Sequence, residues 1–198
     1  MAEVKRAIII IKFGVPACLL FLLLMIMCSN ETSGGNDSIL VVTNGFAIPF
    51  RDKNVFTITS PFGYRDDPLE SGDVVFHTGI DLATESGTEI IATADGIVAD
   101  VGFEEHGLGN YVFIKHELLG KVIYSGYGHM LDDSIIVEIG QEIKQGDKVG
   151  EVGSTGASTG FHLHFMLMKE KISYKEEDLI DPTFVITGLE EEDEKIES

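Results

Sequence analysis

The sequence predicts a mainly β fold, a small antiparallel β-sheet domain with half-barrel-like hairpins, preceded by an apolar N-terminal segment. Two observations carry this. From about Phe46 onward, short runs rich in β-branched and aromatic residues recur, among them "VFTIT", "EIIATA", "GIVADV", "NYVFIKHE", "KVIYSGY", "SIIVEI", "KVGEVG" and "FHLHFML", separated by Gly, Asp and Ser. After residue 30 no stretch sustains a helical apolar period, apart from a short turn near "DPTFVI", residues 181–186.

The chain begins differently. Lys5 and Arg6 precede residues 7–28, "AIIIIKFGVPACLLFLLLMIMC", which are apolar apart from Lys12. A basic flank before an apolar run of this length fits a secretory signal or a single membrane span with its basic end in the cytoplasm. Residues 1–28 are therefore expected to be a signal peptide or membrane anchor. The rest of the chain is expected outside the cytoplasm. Cys28 stands where the apolar run meets the polar stretch "SNETSGGNDS" and resembles a lipoprotein lipidation point, although Met27 before it is larger than the processing enzyme prefers. Lipidation and an uncleaved anchor both stay open, and no A-x-A site favours a cleaved soluble form. Because Cys18 and Cys28 both fall in this segment, the exported part has neither a disulfide nor a thiolate ligand, and any metal there must be held by His, Asp or Glu.

Residues 29–45, rich in Ser, Asn, Thr and Gly, read as a flexible linker. Residues 46–187 are then one folded domain, and 188–198 an acidic tail containing "EEEDEK". With 33 acidic against 14 basic side chains and a formal charge of −19, most of the surface repels phosphates, so nucleic acid is not an expected partner.

The turns "ADG" (94–96) and "QGD" (145–147) place Gly where a tight reversal calls for positive φ and imply hairpins. The segments around them, "TEIIATADGIVADVG" and "QEIKQGDKVGEVG", look like the half-barrel hairpins of biotinyl and lipoyl carrier domains. No lysine stands at the "ADG" tip to accept a cofactor, which argues against a carrier role.

The histidines carry the chemistry. In a strand, alternate side chains share a face, so in "FHLHFMLM" His162, His164, Met166 and Met168 point one way, and Phe161, Leu163, Phe165 and Leu167 the other, towards the core. The even face presents two imidazoles ~7 Å apart, from a rise of about 3.4 Å per residue. A lone histidine there is adequately explained by packing. A neighbouring pair repels when protonated and gains little from burial, so it calls for a cation or a reacting group.

In "FHTGIDLA", His77 and Asp81 are separated by residues that disfavour a helix. An extended segment puts positions 77, 79 and 81 on one face, with Gly79 leaving space between them. His77, Asp81 and one further histidine make three ligands with an open fourth position, the arrangement that separates catalytic from structural zinc. A storage or sensing site would need a fourth ligand, and none is evident. His129 in "YGHM" taken alone is a surface or strand-end histidine; His106 reads as solvent-exposed and His116 as structural.

Taken in order, "SPFGYRDDP", "FHTGIDLA", "GTEIIATADGIVADVG", "GNYVFIKH", "YGHM" and "GSTGASTGFHLHF" resemble the lysostaphin-like, or LytM-type, zinc metallopeptidases over roughly residues 46–185. The resemblance implies that His77, Asp81 and His164 hold one Zn²⁺ in a groove of the sheet, and that His129 and His162 are catalytic. It implies a zinc-dependent endopeptidase acting on the stem peptides of bacterial peptidoglycan. Two positions depart from the family pattern: Phe161 stands where proline is usual, and Met166, expected on the cleft face, where an acid is usual. The competing expectation is a non-enzymatic scaffold that binds cell wall or activates another hydrolase. Such members usually lose zinc ligands, and this chain keeps them.

Overall fold

The computed structural model describes residues 42–43, 45–66, 73–118 and 120–187. The segment 1–28, nearly all of the linker and the tail 188–198 lie outside the described residues. In chain order the strands are β1 (Val42–Thr43), β2 (Phe46–Ala47), β3 (Thr57–Ser60), β4 (Gly63–Asp66), β5 (Val74–His77), β6 (Ile80–Ala83), β7 (Glu89–Ile91), β8 (Gly96–Glu104), β9 (Gly109–Leu118), β10 (Lys121–Met130), β11 (Glu142–Ile143), β12 (Lys148–Glu151), β13 (His162–Lys169) and β14 (Leu179–Ile180). Among the described residues there is one short α-helix, α1 (Thr183–Thr187), which overlaps the segment 181–186 where the sequence placed its single helical turn, besides a 3-10 turn at Glu176–Asp178.

The main sheet is antiparallel and runs β11-β8-β9-β10-β13-β6-β3, with β14 added along β13; β1 pairs β2, β4 pairs β5 and β7 pairs β12. The long strands alternate. In β9, Val112 and Ile114 enter the main core, whereas Phe113 enters a second cluster on the opposite face. In β13, Leu163, Phe165 and Leu167 are fully buried in the main core beside Tyr127 and Ile80, as strand alternation predicts. Burying side chains of this size contributes roughly 1.5–3 kcal/mol each.

The other face of β13 departs from the sequence expectation. Only His162 and His164 border the cleft. Met166 and Met168 are fully buried with Leu108, Phe113 and Leu179, and Phe62, Phe76, Tyr111 and Tyr124 pack over them. A sheet covered on both faces has no polar side at those positions, which alternation alone does not reveal. Phe161, expected in the core, is 56% exposed because β13 begins one residue later, at His162.

The two turns read as hairpins join strands that pair crosswise. Across "ADG", β7 pairs β12 while β8 pairs β11 and β9. The turns instead dock on each other: Ala92 N–H donates to Asp147 O (2.8 Å), Gly146 N–H to Ala92 O (2.9 Å) and Gln145 N–H to Asp95 Oδ1 (2.8 Å). Gly146 has the expected positive φ of 89°. Gly96 does not, and is required for another reason: a Cβ there would run into the Lys115 carbonyl and lie 2.8 Å from His116 Nδ1.

His116 is structural, as expected. It is fully buried; its Nδ1 donates to Asp95 O (2.9 Å), and its Nε2 lies 2.8 Å from the Ser125 hydroxyl, which is 3.0 Å from that of Tyr127. Burial holds its pKa below the ordinary histidine value, so this chain is built for neutral imidazole. His106 is exposed.

Candidate metal centre and its cleft

Three neighbouring strands and one hairpin deliver the site. β13 runs antiparallel to β6 with His164 directly opposite Asp81, so the two side chains leave the sheet on one face. His77 ends β5, opposite Gly63 of β4, and the chain then bends through Thr78 and Gly79 into β6. Gly79 is essential, though not by separating His77 from Asp81. A Cβ on it would collide with the carbonyl of Phe165 and come within 2.9 Å of His164 Nε2, so the glycine lets β13 and the His164 ring approach.

The ligand atoms converge. His164 Nδ1 is 2.8 Å and His77 Nε2 3.1 Å from Asp81 Oδ1, and the two nitrogens are 3.1 Å apart. All three residues are buried, at 5–8% exposure. The outer atoms fix the tautomers. His77 Nδ1 lies 2.7 Å from the carbonyl oxygen of Pro61, which only accepts, so Nδ1 carries the proton and Nε2 offers a lone pair inward. His164 Nε2 is 3.3 Å from Thr78 Oγ1, leaving Nδ1 for the centre. Two imidazole lone pairs and a carboxylate oxygen packed together out of water are mutually repulsive unless a cation joins them. Tetrahedral zinc with bonds of about 2.1 Å would set ligand atoms ~3.4 Å apart, a few tenths wider than these separations. The donor set fits such an ion, and these three residues form the metal-competent cluster found among the described residues.

Asp81 is tuned accordingly. Burial pushes its carboxyl up, but the His164 and His77 rings packed against it outweigh this and hold it well below the usual carboxylate range. Its outer oxygen, Oδ2, lies 3.5 Å from Arg65 Nη1, which also donates to Ser60 Oγ at 2.5 Å. Burial lowers the pKa of His164 against the opposing pull of Asp81.

His129 and His162 stand on the same cleft, with ring centroids 4.7 Å apart; His129 is 5.8 Å from His164 by the same measure. His129 is neither exposed nor an ordinary strand end, as its local sequence suggested. It is 6% exposed and has φ of 58° in β10, where the register against β9 shifts. A non-glycine residue in this region is uncommon and costs of order 1 kcal/mol or more. The backbone is held there by His129 N–H donating to Leu108 O (2.6 Å) and Gly153 N–H donating to His129 O (3.1 Å). Its Nδ1 donates to Thr155 O at 2.8 Å, so Nε2 is left as a free lone pair in the neutral ring. Burial, then the neighbouring His164 and His162, push its pKa down to about 4. His162 Nδ1 likewise donates to Gly160 O (2.9 Å), with Nε2 3.6 Å from Asp81 Oδ1.

The cleft over these groups holds about 550 Å³. All five histidine and aspartate positions singled out in the sequence meet in it. The groups that orient them, Pro61, Thr78, Thr155 and Gly160, were not singled out; three of the four act through main-chain carbonyls, which carry no side-chain signal. Arg65 was also missed, although it lies inside the stretch "SPFGYRDDP".

The chain is 40% identical over 108 residues to the DD-carboxypeptidase/endopeptidase Mpg of Neisseria meningitidis serogroup B, covering 54% of this chain and 23% of that protein. It is 44% identical over 87 residues to the murein hydrolase activator NlpD of Escherichia coli, covering 44% and 21%. The chain thus spans less than a quarter of the length of those two relatives. A crystal structure of a zinc-containing peptidase from Vibrio cholerae superposes with a TM-score of 0.57 at 34% identity, covering 71% of this chain and 39% of that one. The family model for peptidase family M23 matches residues 75–182, a span that starts two residues before His77 and runs past His164. With more than half of its length matched and the metal-competent triad inside the match, this chain belongs to peptidase family M23.

Proposed function

We propose that the protein is a zinc-dependent endopeptidase that hydrolyses peptide cross-links of bacterial peptidoglycan, with His77, Asp81 and His164 holding the metal and His129 and His162 acting on protons. The observation that carries this reading is the division of the four cleft imidazoles. Two aim their lone pairs at Asp81 Oδ1, and two more stand beside them with Nδ1 tied to a carbonyl and Nε2 left for the cleft. When bound, zinc supplies a Lewis acid and a water that ionises near neutral pH.

The remaining steps belong to this chain's own atoms. His129 Nε2, unprotonated at neutral pH, accepts a proton from the attacking water. The Thr155 carbonyl steadies the resulting imidazolium by accepting from Nδ1–H. His129 then returns that proton to the leaving amine, while His162, with its Nδ1–H tied to the Gly160 carbonyl, offers a second Nε2 lone pair on the same cleft to accept from and orient the attacking water. Positioned acid–base groups of this kind contribute typically about 10²–10⁴-fold. Mpg, by its name, acts on peptide bonds, and the fold relative from Vibrio cholerae contains zinc. These support the reading for a chain that shares their fold.

The full-length chain, purified and supplied with zinc, is expected to bind about one equivalent and to release peptides from purified peptidoglycan without generating sugar reducing ends. Mass analysis of the soluble products identifies the bond. One observation favours a second reading: the likeness to NlpD, an activator. Zinc-loaded protein that leaves peptidoglycan intact, but stimulates a separate wall hydrolase, would establish that reading. The apolar run at residues 7–28 supports a location in the bacterial envelope, tethered through the linker, and fractionation of tagged full-length protein tests it.

A further inference from the structure

We propose that Arg65 determines specificity in the cleft by recognising a carboxylate of the peptide beside the scissile bond. This inference rests on the endopeptidase reading above. Four features of the structure carry it. Arg65 is the one lysine or arginine among the described residues that line the cleft, in a chain whose formal charge is −19. Its side chain is 26% exposed, so the guanidinium is held by the protein yet open to the cleft. One nitrogen, Nη1, is anchored on Ser60 Oγ at 2.5 Å and lies 3.5 Å from Asp81 Oδ2, which sets the charge next to the metal ligands. Its Nε is buried with no hydrogen-bond partner among the described residues.

Charge counting gives the sign. With the histidines neutral, Asp81 and Arg65 cancel, so a bound divalent ion leaves the centre at about +2. Glu104, on the cleft wall with its Oε1 accepting from Tyr174, offsets only part of this. A positively charged centre inside a strongly acidic protein draws in an anionic segment of substrate while the rest of the surface repels it. The planar guanidinium is suited to carboxylate, and the Ser60 anchor restricts its rotation. The substrate class is therefore a peptide with a free carboxylate on the residue adjoining the cut bond, rather than its amide.

The test compares two synthetic stem peptides, identical except that this carboxylate is free in one and a primary carboxamide in the other. Zinc-loaded full-length wild type, Arg65→Gln and Arg65→Lys are assayed, with zinc content and circular dichroism measured on each. Wild type is expected to show at least a tenfold higher kcat/KM for the carboxylate peptide, as a charge-assisted hydrogen bond supplies. The ratio should fall near one in Arg65→Gln and lie between in Arg65→Lys, which keeps the charge and loses the planar fork. A wild-type ratio near one, or an Arg65→Gln that slows both peptides by the same factor, overturns the proposal and leaves Arg65 as a support for Asp81. Wild type that cleaves neither peptide while loaded with zinc overturns the endopeptidase reading itself, which the ratio does not.

Discussion

His164 and Asp81 face each other across neighbouring strands, and the 2.8 Å separation of Nδ1 and Oδ1 makes this pair the middle of the candidate metal centre. The carboxylate is the sole anionic member of the cluster, and both imidazoles point at its one oxygen. Asp81→Asn keeps the shape and removes the charge. It is expected to lower zinc affinity by at least ~100-fold, more than the 10–100-fold typical of losing a supporting group. Competition with a chromophoric chelator measures this, and unchanged affinity would remove Asp81 from the ligand set.

The two histidines of "HLH" should separate by readout. His164→Ala is expected to lose metal and activity together. His162→Ala should retain stoichiometric zinc and lose kcat by about 10²–10⁴-fold, the range for a positioned acid–base group. Metal analysis alongside turnover decides the matter, and equal loss of zinc in both variants would refute the division of labour.

Much of this arrangement was legible in the sequence, and the failures have physical reasons. Strand alternation correctly put His162 and His164 on one face and Leu163 and Phe165 in the core, because side chains alternate whatever the fold. It misplaced Met166, since alternation says which residues share a face and not whether that face is covered; the second cluster that covers it comes from Phe62, Phe76 and Leu108, distant in sequence. His129 could not be placed from local pattern. Its role depends on a left-handed backbone conformation and a register shift that only the β9–β10 pairing imposes. The crosswise pairing around "ADG" and "QGD" is likewise non-local, and turn chemistry specifies a reversal without naming the strand's partner.

The metal-free protein should weaken in mild acid. His129 has a folded pKa of about 4 against an ordinary value of 6.5, and His164 is shifted in the same direction. A depressed folded pKa means that the unfolded chain binds protons first. The stability is therefore complete above about pH 6.5 and is lost as pH falls towards 4, by ~3 kcal/mol for His129 alone. Urea midpoints between pH 4.5 and 7.5 in the presence of chelator measure the slope. His129→Asn, chosen because asparagine tolerates the left-handed conformation, should flatten it; an unchanged slope would assign the effect elsewhere.

Gly79→Ala tests the close approach of β6 and β13. The added methyl has no space against the Phe165 carbonyl or the His164 ring, and a backbone atom cannot swing aside as a flexible side chain would. The variant is expected to lose roughly 2 kcal/mol or more of stability, with weaker zinc binding because His164 is displaced. Thermal unfolding with and without zinc separates the two effects. A variant as stable as wild type that binds zinc equally well would show that the strands can move apart freely.

Thr78 accounts for how a methionine can stand at position 166 without leaving His164 unsupported. The Thr78 hydroxyl lies 3.3 Å from His164 Nε2 and 4.0 Å from the Met166 sulfur. It therefore occupies the outer side of the ring, where an orienting acceptor is needed. Met166 is fully buried among apolar side chains, so a carboxylate there would be costly unless paired. Thr78→Val preserves shape and deletes the acceptor, and is expected to weaken zinc by about 10–100-fold with little change in fold. Restoring an acid in the double variant Thr78→Val/Met166→Glu should recover part of that affinity if the new carboxylate reaches His164 Nε2. Chelator competition on the single and double variants gives the answer, and a double variant no tighter than Thr78→Val would show that position 166 supports Thr78 by packing alone.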